Sequence, residues 1–166
     1  MHFKSINPYN GKEVGLYESL SESQLNDKLD LAQKTFPVWR AIPLEERSRL
    51  IKKAGTVLRE GVEEYAKMIS LEMGKPISEA RAEVNKCAWV CDYYGENAAK
   101  FLAEEVIETE AQKSFVRHDP IGAVFAVMPW NFPFWQVFRF AAPTLTAGNV
   151  GLLKHAPNVF GSAQMI

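Results

Sequence analysis

Two short apolar runs rich in β-forming residues lie near the end of the chain, and they restrict the possible folds most strongly. They span residues 122–128 and 149–153, and residues 133–147 between them have helical spacing. A strand, a helix and a strand within about 30 residues form a βαβ unit with parallel strands. Apolar strands of this kind are typical of a sheet buried on both faces. The sequence therefore predicts an α/β fold, of which these residues contain only the beginning of a larger sheet domain.

The first hundred residues show helical patterns separated by turn signals. Asn7–Gly11 predicts a hairpin between two short strands, since Asn-Gly favours tight turns. Ser21 and Gln24 predict a capping box at the start of a helix, which Pro37 is expected to end or kink. Further helices are predicted from Pro43 to Gly61, from Tyr65 to Gly74, and from a cap at Ser78 to Ala98.

Two runs with alternating character follow the last of these helices. Residues 104–110 and 113–117 predict a pair of strands. They separate a helical region from the strand-rich end of the chain. We therefore predict three regions: a helical region over residues 1–102, a strand hairpin over 103–119, and a βαβ unit over 120–166.

Composition excludes several kinds of partner. The 19 Lys and Arg residues balance 20 Asp and Glu residues, so the chain lacks the basic excess typical of nucleic-acid binding. No apolar stretch follows a basic start, as a secretory signal requires. The uncharged run 120–138 is interrupted by Pro129, Asn131 and Pro133, which disfavours a membrane span. We expect a cytoplasmic protein without nucleic-acid or membrane partners.

The cysteines and histidines predict no metal site. Cys87 and Cys91 lie four residues apart in a helical stretch, and two cysteines do not make a disulfide scaffold. His2, His118 and His155 are scattered along the chain. Zinc sites need more ligands at closer spacing. We interpret both cysteines as reduced packing residues.

The loop Met128–Pro133 (MPWNFP) carries the clearest chemical signal. It follows a predicted strand, and ligands of open α/β sheets bind at the carboxyl ends of strands. Its two prolines restrict the backbone, which suits a group that must be preorganised. The amide N–H of Asn131 could donate to a developing oxyanion. Alternatively, Asn131 caps the next helix or forms a turn.

Residues 121–154 (IGAVFAVMPWNFPFWQVFRFAAPTLTAGNVGLLK) closely resemble the aldehyde dehydrogenase superfamily. The whole chain is similar to the N-terminal portion of that family. NPYNGKE at residues 7–13 and EMGKPISEA at 72–80 belong to the same resemblance, as does AGN at 147–149. Residues 134–158 are most similar to the bacterial succinate-semialdehyde dehydrogenase group.

The resemblance implies a fold and an activity. The fold is a set of N-terminal helices followed by the start of a Rossmann-like parallel-sheet domain that binds the nucleotide. The activity is the oxidation of an aldehyde, with succinate semialdehyde as the expected substrate and NADP or NAD as the cofactor. Asn131 matches the family asparagine that helps form the oxyanion hole. The hairpin at 103–119 resembles the family's oligomerisation element, so a homo-oligomer is expected.

The resemblance also implies cofactor-binding positions. These are Val127, Met128, Pro129, Trp130, Lys154, Ala156 and Pro157. Lys154 matches a lysine that hydrogen-bonds the adenosine ribose; without the resemblance it could equally reach solvent from a strand end. Many members have a glutamate at the position of Pro157. A carboxylate there would repel a 2′-phosphate, so its absence predicts that NADP is accepted.

Arg139 and Gln136 are the predicted substrate-binding residues. Arg139 is the only charged residue between Asp119 and Lys154, within an apolar predicted helix. A buried guanidinium needs an anionic partner. Similar semialdehyde dehydrogenases carry an arginine here that binds the distal carboxylate of the substrate. The alternative is a structural ion pair.

The family's reaction also needs a cysteine nucleophile and a glutamate that activates water. In the family both residues lie downstream of the lysine strand, and neither Cys87 nor Cys91 matches the nucleophile. We therefore expect these 166 residues alone to be inactive. The alternative function is a non-catalytic fragment that acts only as a structural or interaction module.

Overall fold

The computed structural model describes residues 2–166, which form strands and helices in the order ββαααα, ββ, βαβα. The strands are β1 (His2–Ile6), β2 (Glu13–Glu18), β3 (Glu105–Val106), β4 (Phe115–Val116), β5 (Ala123–Val127) and β6 (Val150–Lys154). The helices are α1 (Glu22–Ala41), α2 (Leu44–Glu60), α3 (Val62–Met73), α4 (Ile77–Phe101), α5 (Trp135–Thr146) and α6 (Phe160–Met165).

The N-terminal hairpin is confirmed. β1 and β2 are antiparallel, and the Gly11 N–H donates to the Asn7 carbonyl at 2.8 Å. Gly11 has a φ of 70°, which glycine adopts without steric cost. The rings of Phe3 and Phe160 stack with centroids 4.9 Å apart, so the hairpin lies against the start of α6.

The start of α1 is confirmed, but the prediction that the helix ends at Pro37 is wrong. Ser21 and Gln24 form the predicted capping box. Pro37 lies inside α1, which continues to Ala41. Tertiary contacts offset the hydrogen bond that proline removes. The Trp39 indole, just past Pro37, donates to the Leu145 carbonyl at 2.9 Å and so ties the end of α1 to α5.

The start of α4 also differs from the prediction. Ser78 lies within the first turn rather than at the cap, because α4 begins at Ile77 directly after Pro76. Proline presets the backbone for a helix start and has no N–H that would need a partner there. The predicted end of α3 at Gly74 is confirmed, with a left-handed φ of 72°.

The predicted parallel strand pair is confirmed. β5 and β6 are parallel, with Ala123 opposite Val150 and Val127 opposite Lys154. At the other end of the strands, the Asn149 carboxamide oxygen accepts the N–H groups of Ile121 and Gly122 at 2.7 and 3.1 Å. This contact fixes where the two strands begin relative to each other.

Burial of β5 on both faces is wrong for the described residues. Phe125 and Val127 are 65% and 62% exposed, whereas Ala126 is 4% exposed. The strand therefore alternates between a covered and an open face. The reason is that little of residues 2–166 packs against the side chains of Phe125 and Val127.

A shared core joins the helices to the βαβ unit. α4 packs against α2, α3 and α5. The largest fully buried residues of this core include Ile69, Val84, Cys87 and Phe134. Phe134 immediately precedes α5, so the loop after β5 is anchored directly in the core.

The strands predicted over 104–110 and 113–117 are much shorter than expected. β3 and β4 pair over two residues each, and all four residues are exposed. Alternation persists beyond the ladder, but no neighbouring element buries one side of it. Across residues 2–166, no helix is both long and apolar enough for a membrane span.

Candidate functional site

The carboxyl ends of β5 and β6 bring most of the predicted site residues together. Val127 lies opposite Lys154, and the Met128 N–H donates to the Lys154 carbonyl at 3.0 Å. The loop 128–134 after β5 therefore starts beside the segment 155–159 that follows β6. These loops carry the predicted oxyanion donor and the predicted cofactor-binding residues.

The loop after β5 has an exposed tip and a buried base. Asn131 is exposed, and Trp130 and Phe132 are 51% and 44% exposed. Pro133 and Phe134 are fully buried. The loop therefore presents Asn131 outward from a base that is fixed in the core.

A carboxylate from α4 caps the helix that follows this loop. Glu83 Oε1 accepts the N–H groups of Phe134 and Trp135 at 2.9 and 3.0 Å. Glu83 thereby satisfies amides that a helix N-terminus leaves free. The alternative that Asn131 caps α5 is wrong, because Glu83 takes that role. Among residues 2–166, the Asn131 carboxamide makes no hydrogen bond to protein.

Lys75 completes a buried ion pair beneath the loop. Its ammonium donates to Glu83 Oε2 and, at 3.1 Å, to the carbonyl of Asn131. The side chains of Lys75 and Glu83 are 6% and 1% exposed. The ammonium also lies 3.8 Å from the ring centroid of Phe132. One buried pair therefore contacts the backbone or ring of consecutive loop residues.

His155 links the two loops to each other. Its Nε2 lies 2.8 Å from the Pro133 carbonyl, and its Nδ1 accepts the Ala156 N–H at 2.8 Å. A carbonyl only accepts, so Nε2 carries the proton and the ring is neutral. Burial lowers the pKa of His155 below its ordinary value, more than the opposing hydrogen bond to Pro133 raises it.

A second carboxylate holds the helix after β6. Glu72 of α3 accepts the N–H groups of Gly161 and Ser162 at 2.7 and 2.8 Å. It also accepts the Ser162 hydroxyl at 2.8 Å. Both helices that follow the parallel strands are thus held by buried glutamates of the helical layer, which is the group of helices α1–α4.

Sequence reasoning missed these supporting residues: Glu72, Lys75, Glu83 and His155. One signal was available for Glu83. It lies three residues after Ala80 and four before Cys87, both of which are fully buried. A carboxylate on the apolar stripe of a helix needs a buried partner. The sequence could not identify that partner.

Arg139 does not have the surroundings that its sequence context suggested. It is exposed on α5, so the argument from a buried lone guanidinium does not apply to this chain. No acidic group of residues 2–166 forms an ion pair with it, which removes the alternative of a structural pair there. Gln136, one turn earlier on the same helix, is half-buried.

A cavity of about 680 Å³ lies along β6. It is bounded by β6, α1, α6 and the N-terminal hairpin, and both Lys154 and Pro157 line it. The other predicted cofactor residues do not line this cavity. They lie at the strand ends beside it.

The two cysteines fit the predicted packing role. Cys87 and Cys91 are free thiols in the core. Burial raises the pKa of both thiols, that of Cys91 to about 12, so both stay protonated at neutral pH. No group of three potential metal ligands occurs within residues 2–166.

Known proteins match the chain over its whole length. The aldehyde dehydrogenase family matches residues 1–166. A probable NADP(+) succinate-semialdehyde dehydrogenase of Synechocystis sp. is 52% identical over 159 residues, which are 96% of this chain and 35% of the relative. The NAD(P)+ succinate semialdehyde dehydrogenase Sad of Escherichia coli is 44% identical over 165 residues, 99% of this chain and 36% of the relative.

A solved structure shares the backbone as well. Succinic semialdehyde dehydrogenase from Streptococcus pyogenes in complex with NADP+ has a TM-score of 0.94 at 34% identity, over 98% of this chain and 36% of that one. The chain thus spans about a third of the length of the relatives it matches. The predicted α/β fold and resemblance are confirmed, and the chain belongs to the aldehyde dehydrogenase family.

Proposed function

We propose that these residues supply the oxyanion donor and one side of the cofactor site of an enzyme that oxidises succinate semialdehyde to the carboxylic acid. The observation that carries the proposal is the state of Asn131. Its side chain is exposed and makes no protein hydrogen bond within residues 2–166, while its backbone is held by Lys75. A free donor on a fixed backbone is the arrangement that oxyanion stabilisation requires.

The chemical role of Asn131 is to donate its amide N–H to the aldehyde oxygen. When a nucleophile attacks the carbonyl carbon, negative charge develops on that oxygen. A donor that is already in place stabilises this charge without reorganisation. The nucleophile and the general base lie outside these residues in this proposal, so residues 1–166 alone are inactive.

The cofactor is NADP or NAD, which accepts a hydride when bound. Residues 127–130, Lys154, Ala156 and Pro157 would hold it. The residues fit a phosphorylated nucleotide, because Lys154 is an exposed cation at a strand end and Pro157 brings no carboxylate. The names of the relatives, which include NADP(+) and NAD(P)+, support this assignment.

Arg139 and Gln136 bind the distal carboxylate of the substrate in this proposal. Arg139 is exposed on α5, which begins four residues after Asn131. Planar guanidinium groups pair well with carboxylates. The strand hairpin over 103–119 is assigned to a homo-oligomer contact. It lies in the chain between the helical region, residues 1–102, and the nucleotide-binding region, residues 120–166.

The test is Asn131→Ala in the full-length protein that carries this sequence, assayed with succinate semialdehyde and NADP. We expect kcat to fall by about 10²–10³-fold, as for loss of an oxyanion-hole donor. The KM for NADP should stay unchanged. Asn97→Ala, at a half-buried asparagine of α4 that lies outside the loop, is the matched control and should keep full activity. Full activity of Asn131→Ala would overturn the proposal.

A further inference from the structure

We propose that Lys75 is a positioning residue that sets the direction of the Asn131 amide. This inference rests on the proposed function, because it assigns Lys75 a role only through the oxyanion donor. Lys75 makes no hydrogen bond with the Asn131 side chain. It holds the Asn131 carbonyl at 3.1 Å from beneath.

The loop backbone is fixed before Asn131 by the Met128 N–H, which donates to the Lys154 carbonyl, and after the Asn131 side chain by Lys75 and Glu83. The Lys75 ammonium binds the Asn131 carbonyl, and its partner Glu83 binds the N–H groups of Phe134 and Trp135. The same ammonium lies over the Phe132 ring. Rotation of the peptide between Asn131 and Phe132 would break the contact with Lys75, so this ion pair restrains the backbone from which the Asn131 side chain projects.

Lys75 is itself held in a rigid position. It lies between Gly74, whose φ is 72°, and Pro76, whose ring restricts the backbone on both sides. Its side chain is 6% exposed. A long flexible side chain in such a setting has lost most of its rotamer freedom, and its ammonium is therefore a fixed reference point for the loop.

The chemistry of the pair favours positioning over stability. Moving two charges from water into a protein interior is costly, and apolar replacements of similar volume are often as stable or more so. An apolar pair could fill the space beneath the loop. It could not bind one carbonyl and two N–H groups. The contacts of Lys75 and Glu83 with the loop are what the charges specifically provide.

Lys75→Met in the full-length protein tests the proposal. It keeps the volume and the apolar stem but removes the contact with the Asn131 carbonyl. We expect kcat for succinate semialdehyde to fall by about 10- to 100-fold, as for a small misplacement of a reacting group. The KM for NADP should change by less than about twofold.

Arg81→Met is the matched control. Arg81 pairs with Glu63 at 2.8 Å and so joins α4 to α3 on the exposed surface. Its loss removes an ion pair of α4 without touching the loop, whereas the pair of Lys75 and Glu83 joins the connection before α4 to that helix. We expect its kcat to equal that of the unmodified protein.

A double-mutant cycle separates positioning from a structural role. If Lys75 acts through Asn131, Lys75→Met has less than about twofold further effect on kcat in the Asn131→Ala background. An equal loss in both backgrounds would overturn the inference but leave the proposed function intact. Full activity of Asn131→Ala would overturn both. If Lys75→Met does not fold, the double replacement of Lys75→Met with Glu83→Gln, which removes both buried charges and keeps an acceptor for the two amides, enters the same cycle with the same criteria.

Discussion

Arg139 lies in an apolar stretch of the sequence, but its side chain is exposed in the structure. Its neighbours on α5 pack towards α4, whereas the guanidinium is exposed. An exposed cation that makes no ion pair with residues 2–166 is available to a ligand carboxylate. The substrate role proposed for it therefore depends on charge rather than on burial.

Replacement of this charge tests that role. In the full-length protein, Arg139→Leu should raise the KM for succinate semialdehyde by about 10- to 100-fold, since a hydrogen bond to a charged group contributes about 1.5–3 kcal/mol. The KM for a neutral aldehyde of the same length should stay within about twofold. Arg40→Leu, at an exposed arginine of α1, is the control. Equal changes for both aldehydes would count against carboxylate binding by Arg139.

Single residues stand out in the sequence where their type departs from a local pattern. Asn131 and Arg139 are polar or charged residues in an otherwise apolar stretch, which marked both as candidates, although Arg139 is exposed rather than buried as that stretch suggested. Lys75 and Glu83 lie at least 45 residues before the loop that they hold. Local patterns contain no information on such distant partners, so the support of the site became visible only in the structure.

At the scale of elements, each helix after a parallel strand is held by a carboxylate of the helical layer. Glu83 binds the start of α5, and Glu72 binds the start of α6. α6 has only six residues, too few for independent stability in water. Its conformation therefore depends on Glu72 and on packing against the hairpin.

Glu72→Ala should release α6. It leaves the N–H groups of Gly161 and Ser162 and the Ser162 hydroxyl without partners, at a cost of about 1–3 kcal/mol for each buried group. We expect amide hydrogen exchange of residues 160–165 to accelerate at least tenfold, which corresponds to about 1.4 kcal/mol. Glu64→Ala, at an exposed glutamate of α3, should leave these rates unchanged. Unchanged exchange in Glu72→Ala would show that packing alone holds α6.

Element boundaries were predicted best where a local rule decides them. The Ser21 capping box and the Gly74 helix end follow from short-range geometry and are confirmed. α1 does not end at Pro37, because the end of the helix is held against α5 by the hydrogen bond from Trp39 to the Leu145 carbonyl. The hairpin after α4 was overestimated, since alternation predicts a strand only where something buries one of its sides.

At the scale of the whole molecule, His155 couples the stability of the site to pH. Burial lowers its pKa below the ordinary 6.5, so the unfolded chain binds the proton more readily than the folded one. The neutral His155 ring therefore contributes its full stabilisation of the folded state above about pH 6.5, and this contribution is lost as the pH falls through the lower pKa of the folded protein. Glu72, Glu83 and Lys154 act electrostatically on the same ring.

The expected result is a fall in the thermal midpoint of the full-length protein between about pH 7.5 and pH 5.5. His155→Gln can still donate to the Pro133 carbonyl but does not titrate, so its midpoint should change less over this range. His118→Gln, at an exposed histidine, should keep the dependence of the unmodified protein. Identical slopes in all three proteins would contradict a role for His155.

The α/β architecture was predictable because one βαβ unit determines the parallel direction of its strands and the position of the helix between them. Parallel strands require a crossover, and the crossover helix needs a layer to pack on. The predicted burial of β5 was wrong because burial depends on a second layer, and residues 2–166 leave the face that bears Phe125 open. An apolar sequence shows that both faces of a strand could be buried, whereas the exposure of each face depends on the elements that pack against it.

The placement of Glu72 and Glu83 has a consequence for variation in this region. Both belong to one stretch that includes the connection between α3 and α4. Insertion of a single residue into that connection would rotate Glu83 by about 100° relative to Glu72 if α4 shifted in register. Glu72 and Glu83 could then no longer hold both loops at the strand ends in their present relative positions. In evolution or in engineering, the length of the short connection between α3 and α4 is therefore constrained by the two loops at the strand ends.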